Sequence, residues 1–310
     1  MYRRWKLSNK YKYSEIFTSI QGEGEFTGSP TVWLRWFLCN LQCSGFGQEV
    51  PEDRDTHILP YKEFDISNIK RIQDLPVWDL GCDSSYSWAK KYKDLCPAHT
   101  AKTIANKLED ELKTFTNNDG GSFILNNGRE LKDIHLCMTG GEPMIERTQL
   151  AQIELLQAFE ERGNLPVNIT VETNGTQEIT DQFAQVITSY VASGGDWFWS
   201  CSPKLLYTSG EKTMKAIKPY VVKEYQNVSD HGQLKFVVSN RPEAWEELEE
   251  TIDSFRAAGV HWPIWIMPVG ATVEAQSDDD MRAVVEETIK RGYNVSARVH
   301  AYIWGNQIGT

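Results

Sequence analysis

Apolar residues recur along the chain in two alternating rhythms. Residues 31–38, Thr-Val-Trp-Leu-Arg-Trp-Phe-Leu, are β-branched and aromatic and predict a mostly buried strand interrupted by Arg35. From residue 101, apolar positions 101, 104, 105, 108, 112 and 115 follow helical spacing and predict an amphipathic helix, which the Asn117-Asn-Asp-Gly-Gly121 stretch ends. Strands are then expected at 133–138, 167–172 and 196–200, with helices at 148–162 and 180–192 between them. Residues 218–224 and 234–238 read as extended. A helix over 242–258 places Trp245, Leu248, Ile252 and Phe255 on one face, and a strand at 264–267 follows. Asp278, Asp279 and Asp280 suit the positive end of a final helix beginning at 278, and a strand at 296–300 precedes the tail. Strands alternating with helices imply an α/β fold with a parallel sheet and crossover helices. No internal repeat and no clear interdomain linker breaks the pattern.

Composition narrows the partners. With 310 residues and an apolar share of 40%, the chain has enough material for a real core. Its net charge of -11 argues against a sequence-independent nucleic-acid surface or an anionic membrane surface, because phosphate binding depends on clustered Lys and Arg. A small ligand fits better. Arg3, Arg4 and Lys6 are not followed by an apolar segment, so no secretory signal is read, and no run approaches membrane-spanning length. The expected location is the cytosol. Six cysteines in a large chain of this kind favour thiol, metal or cluster roles over a disulfide framework. Residues 1–13 are polar and aromatic and are expected to cover an edge of the fold.

The chemistry gathers where strands are expected to end, which is where parallel α/β folds carry their sites. Cys39-Asn-Leu-Gln-Cys43 follows the first strand; alone, such a pair also fits packed or disulfide-linked cysteines. Upstream, Gly22 and Gly24 flank Glu23 in Gln21-Gly-Glu-Gly24, a segment that suits either a sharp turn or close approach to a ligand. Arg35 needs a partner inside its apolar run, either an acid of the protein or a bound anion. Thr139-Gly-Gly-Glu-Pro143 follows the 133–138 strand, Glu172-Thr-Asn-Gly175 the next, and Ser200-Cys-Ser-Pro-Lys204 the one after. Cys201 reads as a packed thiol. His57, His99, His135, His231 and His261 read as ordinary histidines.

In this order, these segments resemble the 7-carboxy-7-deazaguanine synthase family of radical S-adenosylmethionine enzymes, over residues 14–43 and 82–310. That family keeps three cysteines close together and ends the loop in Cys-Asp-Thr. Here Phe46 stands where the third cysteine falls, and the related text appears at Cys82-Asp83-Ser84. Residues 44–81 are therefore read as an insertion of 38 residues in the cluster-binding loop, forming a surface lobe with short elements near 58–64 and 66–75. The rest is read as one domain over 1–310. Cys96 competes with Cys82 for the third position, but only Cys82 is followed by an acid and a hydroxyl.

The resemblance implies a partial (β/α) barrel of the radical S-adenosylmethionine type. It implies a 4Fe-4S cluster on Cys39, Cys43 and Cys82, with S-adenosylmethionine near Thr139, Gly140, Gly141, Glu142, Glu172, Asn174, Ser202 and Lys204. Gln21, Glu23, Arg35 and His300 are the implied substrate contacts, and Ser84 the implied Mg2+ ligand. Met267 stands where the family has Gln, and a thioether cannot reproduce an amide's hydrogen bonds. The implied reaction forms a 5′-deoxyadenosyl radical, removes hydrogen from C6 of 6-carboxy-5,6,7,8-tetrahydropterin and yields 7-carboxy-7-deazaguanine with loss of ammonia. An electron donor such as flavodoxin or ferredoxin and a homodimer belong to the same picture, with no direct nucleic-acid or membrane partner. Three rival readings are another radical enzyme such as an activase, a zinc module on Cys39, Cys43, Cys82 and Cys96, and a regulatory protein that binds ligand without turnover.

Overall fold

The structure, a computed structural model, describes residues 9–310. Among them eleven strands form: β1 Tyr11–Ile20, β2 Pro30–Trp36, β3 Ala98–His99, β4 Ile124–Asn126, β5 Leu131–Asp133, β6 His135–Gly140, β7 Asn168–Thr173, β8 Asp196–Cys201, β9 Gly232–Val238, β10 Ile264–Pro268 and β11 Asn294–Val295. Nine of them make one sheet in the order β11-β10-β9-β8-β7-β6-β2-β1-β3. From β2 to β11 all neighbours run parallel, and β1 is antiparallel to both β2 and β3. The sheet is open, with β3 and β11 at its edges. The expected α/β class and largely parallel sheet are thus present.

Helices Ala101–Leu112, Glu146–Glu160, Asp181–Ala192, Pro242–Ala257 and Asp279–Lys290 supply the crossovers close to their expected places. Thr100, Thr180 and Asp278 cap three of them by accepting the N–H of Thr103, Phe183 and Met281. The apolar faces meet the sheet in one continuous core that holds Trp36, Trp197, Trp199, Phe159, Phe183, Phe236 and Phe255, all essentially without solvent contact.

Three expectations need correction. Residues 218–224 are not extended: Pro219–Val228 is a helix. Its Val221-Val222 pair looked strand-like, but Pro219 occupies the first helical turn, where its missing N–H costs nothing, and Tyr225 stacks on Trp199 at 4.6 Å. Residues 296–300 are not a strand either, because β11 stops at Val295 and His300 lies in the helix Val299–Trp304. Tyr11 to Tyr13 do not cover an edge but start β1, which the sequence pattern concealed. A register shift between Tyr13 and Glu15 breaks its period of two. Residues 1–8, which carry the remainder of that expectation, lie outside the described residues. Finally, the β4–β5 hairpin was not anticipated.

Residues 44–81 contain short helical turns at Arg54–Thr56, Pro60–Glu63 and Ile72–Asp74. They have a small core of their own, in which Tyr61, Ile72, Leu75 and Trp78 pack with Tyr86, Tyr92 and Cys96, and Ile308 of the tail leans on it. No helix among the described residues is long and apolar enough to cross a membrane.

The loop between β1 and β2 crosses the N-terminal ends of the parallel strands. Phe26 packs edge-on against His135 and Phe198, and Glu25 accepts from His231, whose other ring nitrogen meets Asp196 at 2.7 Å. The Asp196 hydrogen bond, helped by Glu25, raises the His231 pKa from 6.5 to about 9. A group whose folded pKa is raised stabilises fully below its unfolded value and loses that contribution as pH rises through the folded one. Stability against urea is therefore expected to fall between pH 6.5 and about 9, and His231→Gln is expected to flatten that fall. Because His231 is partly exposed, the effect should shrink in high salt.

Candidate functional site

Paired glycines let the cysteine loop settle on the end of β6. A side chain at Gly140 would overlap the backbone of Trp36, and one at Gly141 would overlap the carbonyl of Leu38. With no Cβ in the way, Gly141 donates its N–H to Trp36 and Glu142 donates its N–H to Leu38 at 2.7 Å. The loop itself is strained, since Leu38 and Cys43 both have positive φ. Its far side is held by Glu211, fully buried, whose Oε1 accepts from the N–H of Gln42 at 2.7 Å and of Cys43 at 2.9 Å. Arg54 of the 44–81 segment pairs with the same carboxylate at 2.9 Å.

One cavity of about 270 Å³ opens over this loop, at the C-terminal ends of β2, β6, β7, β8 and β10. Of the sixteen residues singled out from the sequence, fifteen line it: Gln21, Glu23, Arg35, Cys39, Cys43, Cys82, Ser84, Thr139, Gly140, Gly141, Glu172, Asn174, Ser202, Lys204 and His300. Glu142 is the exception. It is buried beneath the floor, where Oε1 accepts from the Thr173 hydroxyl and Met144 N–H and Oε2 from the Asn174 N–H. Burial raises its pKa to about 6 despite these bonds.

Cys39, Cys43 and Cys82 are free thiols on this cavity, in contact with one small apolar group that includes Phe46 and Leu41. Burial pushes Cys39 to about 12 and Cys82 to about 11, and Cys43 well up, so the thiols stay protonated unless a cation draws off the proton. N–H donors already point at two of the sulfurs. Leu41 N–H lies 3.4 Å from Cys39 Sγ, and the Trp88 indole N–H lies 3.4 Å from Cys82 Sγ. Among the described residues, no three Cys, His, Asp or Glu side chains close round a single metal ion. Cys96 sits outside the cavity, with its thiol directed to the carbonyl of Tyr92 at 3.4 Å. Cys201 is fully buried, as expected of a packed thiol.

The acids and bases on the walls are cross-linked. Arg35 pairs through Nε with Glu15 at 2.6 Å, and Tyr86 donates to the same oxygen at 2.8 Å. That bond uses one edge of the guanidinium while Arg35 also faces the cavity, so both readings of this residue fit together. Glu23 pairs with buried Lys235 and, at 3.1 Å, with Arg298; Arg298 reaches Asp83 at 2.7 Å. Burial opposes the charge on Asp83, yet Arg298 holds its pKa down at about 2. Ser84 donates to the other Asp83 oxygen at 3.0 Å. Glu172 accepts from Gln21 and Thr139, and Lys204 donates to Ser202 at 2.9 Å. His300 is seated by Gly22, where any side chain would overlap its ring. Met267 lines the cavity without offering a strong polar group.

Sequence reasoning missed Glu15, Asp83, Tyr86, Trp88, Lys235 and Arg298 as parts of this site. Lys235 carried the same signal as Arg35, a charge inside an apolar strand. Asp83 stands in the Cys82-Asp83-Ser84 text without an assigned role. Gly141→Ala is expected to lower stability by roughly 1–3 kcal/mol through overpacking against Leu38, measured as a reduced urea midpoint at unchanged slope.

The chain is 25% identical over 298 residues to the 7-carboxy-7-deazaguanine synthase of Rhodopirellula baltica, covering 96% of this chain and 88% of that one. It is 24% identical to the enzyme of that name from Leptospira interrogans, covering 97% and 98%, and 23% identical to that of Halobacterium salinarum, covering 94% and 90%. No family profile matches the chain. The fold is that of the crystal structure of QueE from Escherichia coli, with a TM-score of 0.51 at 20% identity over 94% of this chain and 95% of that one. The chain is thus similar to enzymes named 7-carboxy-7-deazaguanine synthase along nearly the whole length of both partners, on a shared fold.

Proposed function

We propose that the chain is a radical S-adenosylmethionine lyase that converts 6-carboxy-5,6,7,8-tetrahydropterin to 7-carboxy-7-deazaguanine with loss of ammonia. The observation that carries this reading is the convergence of Cys39, Cys43 and Cys82 with four further family motifs on one cavity. The donor set fits a 4Fe-4S cluster. Three free thiols line one cavity and pack against one small apolar group, and N–H groups point at two of the sulfurs, those of Cys39 and Cys82. The chemistry supplied there, when cluster and cofactor are bound, is reductive cleavage to a carbon radical that removes the substrate's C6 hydrogen.

The chain's own residues position and shield. Thr139, Gly140, Gly141, Glu172, Asn174, Ser202 and Lys204 surround the place assigned to S-adenosylmethionine. Glu142 acts there through the backbone of Thr173–Asn174, which its carboxylate holds in place. Arg35, oriented by Glu15, presents its free guanidinium edge to the substrate carboxylate, while Gln21, Glu23 and His300 border the ring. Ser84 keeps the hydroxyl that resemblance assigns to Mg2+, beside Asp83, in an oxygen-rich corner that suits a hard cation.

A flavodoxin or ferredoxin donor, a homodimer, a cytoplasmic location and a single domain with an insertion at 44–81 complete the proposal on the strength of the resemblance. The closed zinc reading is less well supported, because Cys96 packs in a different core from the other three thiols.

Anaerobic turnover of the tetrahydropterin with S-adenosylmethionine and a reductant tests the reaction directly. After anaerobic reconstitution, Cys82→Ala is expected to lose iron and all cofactor cleavage, and Cys96→Ala to keep both; the reverse pattern would reassign the third ligand. Ser84→Ala is expected to lower turnover and blunt the response to added Mg2+, read as rate against Mg2+ concentration. An unaltered response would remove Ser84 from the site.

A further inference from the structure

The 44–81 segment touches the cysteine loop from two sides. On one side Arg54 pairs with Glu211, which caps the Gln42 and Cys43 N–H groups. On the other, Tyr61 is buried with its ring edge-to-face against Trp88 at 5.6 Å. Tyr61 is itself pinned: its carbonyl accepts from the Tyr92 hydroxyl at 2.7 Å and from Lys91. Trp88 is fixed from its backbone as well, through its N–H to Ser85 and the Leu38 N–H to Ser87. Held this way, the indole N–H lies on the sulfur of Cys82 at 3.4 Å.

That contact has a redox consequence. A donor to a cluster thiolate stabilises the more negative, reduced state, and hydrogen bonds to the sulfurs are among the levers that set the potential of such clusters. We propose that segment 44–81 is a brace that holds the Trp88 indole N–H on Cys82 and thereby raises the reduction potential of the cluster. Trp88 is a positioning and tuning residue, touching neither substrate nor cofactor in this account. The proposal rests on Cys82 being an iron ligand.

The test uses the full chain, reconstituted anaerobically. Iron and sulfide content are measured, and the midpoint potential is followed by paramagnetic resonance during dithionite titration. Trp88→Phe keeps a ring against Tyr61 but has no donor. It is expected to retain its iron and to move the midpoint in the negative direction by at least threefold in the reduced-to-oxidised ratio, about 28 mV for a one-electron couple. Trp88→His, which restores a ring N–H, should recover part of the shift. Tyr61→Leu should shift the midpoint in the same direction as Trp88→Phe by loosening the indole. With nitrogen-15 in the indole, a nitrogen coupling to the reduced cluster should be seen in the parent chain and be missing in Trp88→Phe. Unchanged potentials in Trp88→Phe and Tyr61→Leu would overturn the proposal, and so would loss of iron in Trp88→Phe, which would make the residue a retainer of the cluster rather than a tuner. Retention of iron by Cys82→Ala would instead overturn the ligand assignment beneath it.

Discussion

Opposite charges buried in a chain hold the cavity together. Lys235 on β9, Glu23 in the loop after β1, Arg298 before the last helix and Asp83 beside the third cysteine alternate in sign, so four distant segments meet through three ion pairs. Lys235 and Arg298 are buried and would be costly alone, whereas the set is neutral and every member has a partner. Removing one link leaves its neighbours buried and uncompensated. This constraint fixes the floor and one wall of the cavity relative to each other, and it turns the chain inward just after β11, where a continued strand would carry Arg298 away from its acids.

The cysteine loop obeys a different constraint, that of close backbone approach. Leu38 can lie on β6 only because Gly140 and Gly141 have no side chains, and the strained backbone at Leu38 and Cys43 persists because both ends are tied, to Ser87 and Glu142 on one side and to Glu211 on the other. The two constraints meet at Cys82-Asp83-Ser84. There the third thiol, the ion-paired acid and the hydroxyl that faces it follow one another directly.

The 44–81 segment belongs to this arrangement rather than decorating it. Its Arg54 pairs with the Glu211 that caps the loop, its Tyr61 packs on Trp88 beside Cys82, and its small core continues through Tyr86 and Tyr92 to the C-terminal Ile308. Phe46, at the position where relatives with a compact loop are expected to carry a cysteine, packs among the three thiols and lies under Lys204 at 5.8 Å. Phe46 thus gives the thiols apolar cover, and the folded lobe sets Cys82 beside them.

Much of this was legible in the amino-acid order. Periodicity located the crossover helices and the parallel strands, because burial on one face of a helix or both faces of a strand leaves a local mark. Motif text located fifteen of the cavity residues, because glycines, cysteines and acids at strand ends have few other uses. What the sequence left open was decided by contacts between distant segments. Pro219–Val228 became a helix because Tyr225 stacks on Trp199, overriding two β-branched residues. The bulge in β1 hid its alternation, and the turn at Arg298 answers to Glu23 and Asp83, which lie more than two hundred residues away. The surroundings of Cys82 and Cys96 have the same character: only the packed lobe shows one thiol on the cavity with Cys39 and Cys43 and the other in a separate core. Pairing of buried charges depends on which side chains are neighbours in space, and a linear order states that only after the chain has folded.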